Sequence, residues 1–200
     1  MTKSKSAFKL IKKEDYFYKK AKKIHVRARS YYKLEAIDTK FNLIKNNQHI
    51  LDLGCAPGAW IQYLDSKIND GEITGIDLLK VDKQSEYSSN VKIIQGDFNL
   101  VLIDPKDEFD LILSDMAPEF SGDSKVDRGR THKLNLETIK LSKRLLKKKG
   151  SLVIKTFEGE DIKLVREQMK KLFFEVRDYK PQSSKKGSSE FYIVGLKKKY

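Results

Sequence analysis

The chain has 200 residues, 39% of them hydrophobic, which suffices for one core and one domain. No apolar run reaches the roughly 18 residues that a membrane-spanning helix requires, so the reading is of a soluble, packed protein. Forty-one Lys and Arg against 28 Asp and Glu leave a net charge of +13, and a polyanionic partner is the first expectation. A single cysteine, Cys55, excludes an internal disulfide and a multi-cysteine zinc cage and suits a reducing compartment. His25, His49 and His132 lie far apart without ligand spacing, so no metal site is expected.

The charge is concentrated at one end. Residues 1–33 hold twelve Lys or Arg against two acids, a net +10, leaving +3 for the rest. Aromatic rings interleave with these cations in KKEDYFYKKAKK and RARSYYK, a combination suited to gripping phosphates and stacking unpaired bases. Lys19, Lys20, Lys22, Lys23, Arg27 and Arg29 are therefore candidate RNA contacts. Charge alone does not separate this from a solvated lysine-rich helix. Residues 1–13 contain no acid, as in a transit peptide, but lack arginines and a secretory apolar core, so cytoplasm, nucleus and mitochondrion all stay open.

In chain order, a first helix is expected over about Asp15–Lys23 and a second over Tyr31–Phe41, with Ser30 as its side-chain cap and Leu34, Ile37 and Phe41 at helical spacing. QHILDLG reads as a buried strand, AWIQYLDSKI as a helix and EITGIDLL as a second strand. VKIIQGDF and FDLILSDMAP follow as strands. Thr131–Lys148 reads as a helix stopping before Gly150, SLVIKTF as the fifth strand and Asp161–Leu172 as a helix. FFEVRDYKP and SSEFYIVGLKK close the chain as two strands joined by a polar loop. Strands alternating with helices imply an α/β fold whose mostly parallel sheet carries helices on both faces, and the last two strands, with no helix between them, require one antiparallel partner. Val81–Ser89 and Glu119–Arg130 fit no regular element, and the second, at the carboxyl edge of the sheet, is a candidate lid. The lysine runs 147–149 and 197–199 read as solvated ends.

The first strand runs into Gly54-Cys55-Ala56-Pro57-Gly58-Ala59-Trp60, a glycine turn that lets a ligand lie against backbone at the start of a helix. Asp77 ends the second strand, where an acid can hold a ribose diol. Nicotinamide enzymes share both features. Their turn, however, directs free N–H groups at a pyrophosphate, and Pro57 has none to give; nor does a GxxxxGK[ST] sequence occur. An adenosine cofactor without phosphates fits better, and S-adenosylmethionine suits the acids at successive strand ends, Asp52, Asp77, Asp97 and Asp115. Asp97 and Phe98 offer an acceptor and an apolar flank for adenine. Lys155 interrupts the apolar run SLVIKTF and is expected to face the same crevice as Asp115. Lys33 stands in a first helical turn, where a cation opposes the helix dipole, so local structure does not explain it.

Together RARSYYKLEAID, LDLGCAPGAWIQYL, GIDLL, GDF, LSDMAP, IKTFEGE and SSEFYIVG resemble the FtsJ (RrmJ) family of ribose 2′-O-methyltransferases from about Asp15 to the end. The resemblance implies a Rossmann-like methyltransferase sheet of seven strands with a reversed C-terminal hairpin. It implies a single domain, with residues 1–42 a basic helical RNA-binding extension and 43–200 the catalytic core. It places a catalytic tetrad on Lys33, Asp115, Lys155 and Glu190, and cofactor contacts on Gly54, Ala56, Pro57, Gly58, Trp60, Asp77, Leu78, Asp97, Phe98 and Asp115. The implied donor is S-adenosylmethionine, with S-adenosylhomocysteine as product. The implied substrate is ribosomal RNA, uridine of the large subunit, within a subunit particle and handled by a monomer; a tRNA ribose methyltransferase and a non-catalytic RNA-binding protein are the alternatives. Cys55 departs from the alanine common in that turn, and Val81–Ser89 matches the family poorly.

Overall fold

The computed structural model describes residues 26–82, 86–101, 103–104, 108–119, 121–159, 162–185 and 187–200. The expected helix at 15–23, with Lys19, Lys20, Lys22 and Lys23, lies outside them. Seven strands form one sheet: β1 (His49–Leu53), β2 (Glu72–Asp77), β3 (Val91–Gln95), β4 (Phe109–Ser114), β5 (Leu146–Phe157), β6 (Phe173–Tyr179) and β7 (Glu190–Lys198). Their order is β3-β2-β1-β4-β5-β7-β6, with β7 antiparallel to both of its neighbours and the pairs from β3 to β5 parallel. The expected sheet, including its reversed C-terminal hairpin, is thus present.

Strand alternation sends successive side chains to opposite faces, and both faces are covered. Ile50, Leu111, Leu113, Val153 and Val194 face α1 (Tyr31–Phe41) and α2 (Ala59–Asp65), whose Leu34, Ile37, Ile61 and Leu64 are fully buried. Leu51, Leu53, Ile112, Leu152 and Ile154 face α3 (Ser124–Leu145) and α4 (Ile162–Leu172). Helix α4 buries Ile162, Val165, Met169 and Leu172, one apolar stripe at helical spacing.

Four local expectations are corrected: the Ser30 cap, the bounds of α3, the irregular segment before it and the solvation of the last lysine run. Helix α1 has the expected bounds, but Ser30 gives it no side-chain cap: Ser30 is itself helical in φ and ψ, and its carbonyl accepts the Lys33 N–H and the Trp60 indole N–H. Helix α3 begins at Ser124 rather than Thr131, because the Asp123 carboxylate takes the Lys125 and Val126 N–H groups as an N-cap. Much of the supposed lid is therefore helix, and its first turns are too polar to show an apolar period. At the other end α3 stops at Leu145, where Leu146, 1% exposed, pairs with Phe109 in the sheet. The sheet register then slips between Phe109 and Leu111, and Gly150 lies so close to the Asp110 carbonyl that a Cβ would meet it at 2.9 Å. Lys198 is not solvated: it is 4% exposed and donates to the carbonyls of Lys143 and Leu146.

Candidate active site

The turn after β1 is tied to the end of β2. Gly54 and Cys55 donate to Ile76 O, Ala56 donates to Asp77 Oδ2 at 2.8 Å, and Gly58 donates to Cys55 O at 2.6 Å. Pro57 has no N–H, so none of the amides from 54 to 58 is left to clasp a phosphate. Both glycines have positive φ, 76° at Gly54 and 100° at Gly58. The close approach that they allow is made by protein: a Cβ at Gly54 would meet the backbone of Met116 at 3.0 Å, and one at Gly58 the Tyr87 hydroxyl at 2.2 Å. Cys55 packs beneath the turn against Gly75, and burial, with Asp52 and Asp77 nearby, pushes its thiol pKa up.

Carboxylates gather at the ends of the central strands. Asp77 uses each oxygen once, for the Ala56 and Leu79 N–H groups. Asp97 accepts the Asn99 N–H at 2.9 Å. Asp52 is fully buried, and neither of its oxygens has a hydrogen-bond partner among the described residues. Burial raises its pKa well above the usual carboxylate range, and the neighbouring Asp115 and Asp77 add to the shift. Leu78 is exposed at the end of β2, whereas Phe98 is 7% exposed in the core with Ile76. Trp60 is also buried, 2% exposed, its indole N–H on Ser30 O holding α2 to the start of α1.

Beside these acids the topology brings four distant residues together. Asp115 follows β4, Lys155 lies near the end of β5, Glu190 opens β7 and Lys33 projects from α1. Lys155 pairs with Tyr192, and Phe157 with Glu190, across the β5–β7 ladder, so alternation puts Lys155, Tyr192 and Glu190 on the face that α1 covers. The Lys155 ammonium stands 3.2 Å from Asp115 Oδ1 and also donates to the Asp115 carbonyl. The Lys33 ammonium stands 2.6 Å from Glu190 Oε1, which also receives the Ser184 hydroxyl at 3.1 Å. Both lysines are nearly buried, 7% and 8% exposed. Lys33 is thus drawn into its unfavourable place in the first turn of α1 by the carboxylate that opens β7.

Tyr192 joins the two pairs and was not singled out from sequence, where it looks like one more apolar residue in EFYIVG. Its hydroxyl donates to Asp115 Oδ1 at 2.8 Å, and its ring lies 6.0 Å from the Lys33 ammonium and 5.9 Å from the Trp60 ring. Burial raises the pKa of its phenol well above the ordinary value, with Asp115 adding to the effect, so it stays a donor. A cavity of about 300 Å³ adjoins this group, lined by Gly122, Ser124, Asp127, Arg128, Phe157 and Ser189. Asp127 holds its rim by accepting the Ser121 N–H and hydroxyl, both at 2.8 Å. Of the candidate RNA contacts, Arg29 stands just before α1, and Arg27 is turned onto the glycine turn, bonding Pro57 O and the Glu86 carboxylate. Among the described residues no group of three or more His, Cys, Asp or Glu gathers as a metal site, and no helix is long and apolar enough to cross a membrane.

A seven-stranded sheet in this order, with β7 reversed and a glycine turn after β1, is the Rossmann-like methyltransferase fold. The profile of the FtsJ-like methyltransferases matches residues 26–198, and the chain belongs to that family of enzymes. It is 37% identical over 190 residues to a Bdellovibrio bacteriovorus protein named Ribosomal RNA large subunit methyltransferase E, covering 92% of this chain and 97% of the relative. A crystal structure of a ribosomal RNA methyltransferase from Plasmodium falciparum superposes with a TM-score of 0.74 at 28% identity, covering 86% of this chain and 98% of the other. Aeropyrum pernix fibrillarin, crystallised with S-adenosylmethionine bound, shares the fold at a TM-score of 0.61 and 16% identity, over 84% of this chain and 76% of its own.

Proposed function

We propose that this single-domain enzyme transfers a methyl group from S-adenosylmethionine to a ribose 2′-hydroxyl of ribosomal RNA in the large subunit. The observation that carries the reading is the meeting of Lys155–Asp115 and Lys33–Glu190, two nearly buried ion pairs from four elements, at the ends of the strands beside the acid cluster. Buried pairs of this kind are weak contributors to stability, so their presence at a cleft calls for a chemical role. The names of the relatives support ribosomal RNA as the substrate class.

The donor fits the residues present. Asp52, Asp77 and Asp115 concentrate negative charge, and the two unpartnered oxygens of Asp52 need either a proton or a cation. S-adenosylmethionine is cationic at sulfur and at its ammonium, and has a ribose diol for Asp77 and an adenine for the region between Leu78 and Asp97. A glycine turn whose amides are all spent suits a cofactor that carries no phosphate.

When bound, the donor supplies an electrophilic methyl group on a sulfonium. Lys155 orients the 2′-hydroxyl: as the ammonium that Asp115 holds it donates to the hydroxyl oxygen and the hydroxyl proton leaves to water, whereas once it has given a proton of its own to water its neutral amine takes the hydroxyl proton itself. The departing thioether is neutral, so no acid is needed on that side, and alignment of hydroxyl, methyl and sulfur is the main demand on the protein. Asp115 fixes the Lys155 ammonium and faces the cationic end of the donor. Glu190 holds Lys33, which lies over Tyr192 and offers a second cation to the ribose or its phosphate. The cavity beside Phe157, with Arg128 on its lining, is the approach for RNA, and Arg29 and the lysines at 19, 20, 22 and 23 supply further cations for its phosphates.

The test is to supply isotopically labelled S-adenosylmethionine with large ribosomal subunits, free ribosomal RNA and tRNA in parallel, then map the label. Incorporation at one ribose of large-subunit RNA supports the reading. Label in tRNA alone moves the substrate to the anticodon-loop class, and failure to bind the donor leaves only a basic RNA-binding protein.

A further inference from the structure

Arg27 comes from the basic end of the chain, yet its donors are turned inward. Its backbone N–H donates to Gln62 Oε1 on α2 at 3.0 Å. Its guanidinium donates to Pro57 O at 3.4 Å, to Asp82 O at 2.5 Å and to the Glu86 carboxylate at 3.1 Å. The same cation stands 4.9 Å from the centroid of the Tyr87 ring, and the Tyr87 hydroxyl donates to Gly58 O at 3.1 Å. One side chain, 15% exposed, therefore touches the glycine turn and the connection between β2 and β3 at three residues. Val81, 1% exposed, packs into the same corner, where a Cβ on Gly58 would meet it at 3.1 Å and Arg27 Cδ at 3.3 Å.

A phosphate-gripping arginine presents its planar fork to solvent. This one spends the fork on two main-chain carbonyls and a carboxylate, and its aliphatic stem fills the back of the turn. The parts that it joins are those on which an adenosine cofactor depends: the 54–58 turn, the start of α2 and the chain leaving Asp77. Pro57 cannot donate, Gly58 bonds within the turn, and the amides of Gly54, Cys55 and Ala56 reach only Ile76 and Asp77 at the end of β2, so none of the turn's amides reaches residues 81–87 of the β2–β3 connection. Arg27 and Tyr87 supply that link. Burial pushes the Tyr87 phenol pKa up to about 12 although Arg27 pulls it down, so the hydroxyl stays a donor to Gly58.

We propose that Arg27 is a positioning residue for the cofactor: with Tyr87 it fastens the β2–β3 connection to the glycine turn and so preforms the adenosine side of the pocket. The inference rests on the S-adenosylmethionine reading of the same pocket. A preformed site binds more tightly because less ordering remains to be done on binding.

The test measures S-adenosylmethionine and S-adenosylhomocysteine affinity by calorimetry for the full chain, Arg27→Ala, Arg27→Lys and Tyr87→Phe, together with RNA binding at several salt concentrations. Loss of a fork of hydrogen bonds to charged and main-chain groups is expected to weaken both cofactors by about tenfold to 100-fold in Arg27→Ala. Arg27→Lys recovers little, since an ammonium cannot reach two carbonyls and a carboxylate as a fork does. Tyr87→Phe, which keeps the ring and loses one hydrogen bond, weakens them by about threefold to tenfold and decides the matter if Arg27→Ala fails to fold. KM for the donor rises while KM for RNA and the salt slope of RNA binding hold. Unchanged cofactor affinity in both Arg27→Ala and Tyr87→Phe, with a shallower salt slope in Arg27→Ala, overturns the proposal and returns Arg27 to RNA binding. Wild-type protein that binds neither cofactor overturns the donor reading itself, and the proposal with it.

Discussion

Replacing Tyr192 with phenylalanine removes one oxygen from the centre of the site and leaves its ring against Trp60 and below the Lys33 ammonium. The lost bond runs 2.8 Å from a buried phenol to Asp115 Oδ1, an acceptor that also faces Lys155 at 3.2 Å. A hydrogen bond to a charged group contributes about 1.5–3 kcal/mol, or roughly tenfold to 150-fold in a rate if it is made fully in the transition state. Because Asp115 keeps Lys155, and water can replace part of the loss, the lower end applies: the chemical step of Tyr192→Phe slows by about tenfold to 30-fold. Single-turnover methyl transfer with labelled donor reads that step, and calorimetry with S-adenosylmethionine reads binding apart from it. A rate within twofold of the parent at equal donor affinity would show that Asp115 needs no help from Tyr192, and the coupling of the two ion pairs through this residue would be abandoned.

Asp52→Asn tests the buried acid. Its folded pKa lies above the unfolded value of about 4, so its proton stabilises the fold fully below that pH, and the contribution is lost as pH rises through the folded value. Without donor, the variant should melt higher than the parent at pH 7 to 8 and level with it near pH 4; with donor the order at neutral pH reverses, and equal melting curves at every pH exclude a raised pKa. At Gly58, φ of 100° and a Tyr87 oxygen 2.2 Å from an added Cβ predict that Gly58→Ala loses donor affinity and melts lower, by several degrees; wild-type calorimetry in that variant contradicts the packing described. Changing Lys19, Lys20, Lys22 and Lys23 to Gln should lower the slope of log affinity for unpaired RNA against log salt by roughly three, and an unaltered slope removes those lysines from the interface.

The order of strands and helices was legible because each core strand is a compact apolar run and each crossover keeps a helical period, as in HILDL and IKLVREQMKKL. The start of α3 was not, since SKVDRGR has no apolar stripe and only the Asp123 cap marks it. The boundary near Leu146 was hidden for a different reason: three lysines and a glycine read as a solvated helix end, while the register slip against β4 that admits them to β5 is a property of the neighbouring strand. Of the site, Lys155 stood out by interrupting SLVIKTF, and Lys33 by its place in a first turn. Which carboxylate each lysine meets depends on β7 entering between β5 and β6, which no local pattern encodes. Tyr192 was silent because a buried tyrosine in a strand looks like core until its hydroxyl partner, 77 residues away in the chain, is known. Arg27 was not set apart by its neighbours: among the cations of KKAKKIHVRARS, the one that bonds main-chain carbonyls carries no distinguishing mark.

The most direct measurement is nucleoside mass spectrometry of large-subunit RNA after reaction with the labelled donor, using the parent enzyme and Lys155→Ala in parallel. The account predicts a 2′-O-methylated nucleoside, at an alkali-resistant linkage, that the parent forms and that Lys155→Ala forms at least about 100-fold more slowly while still binding S-adenosylmethionine. A methyl group found on a base, or a 2′-O-methyl group formed at the parent's rate without the Lys155 amine, would contradict it.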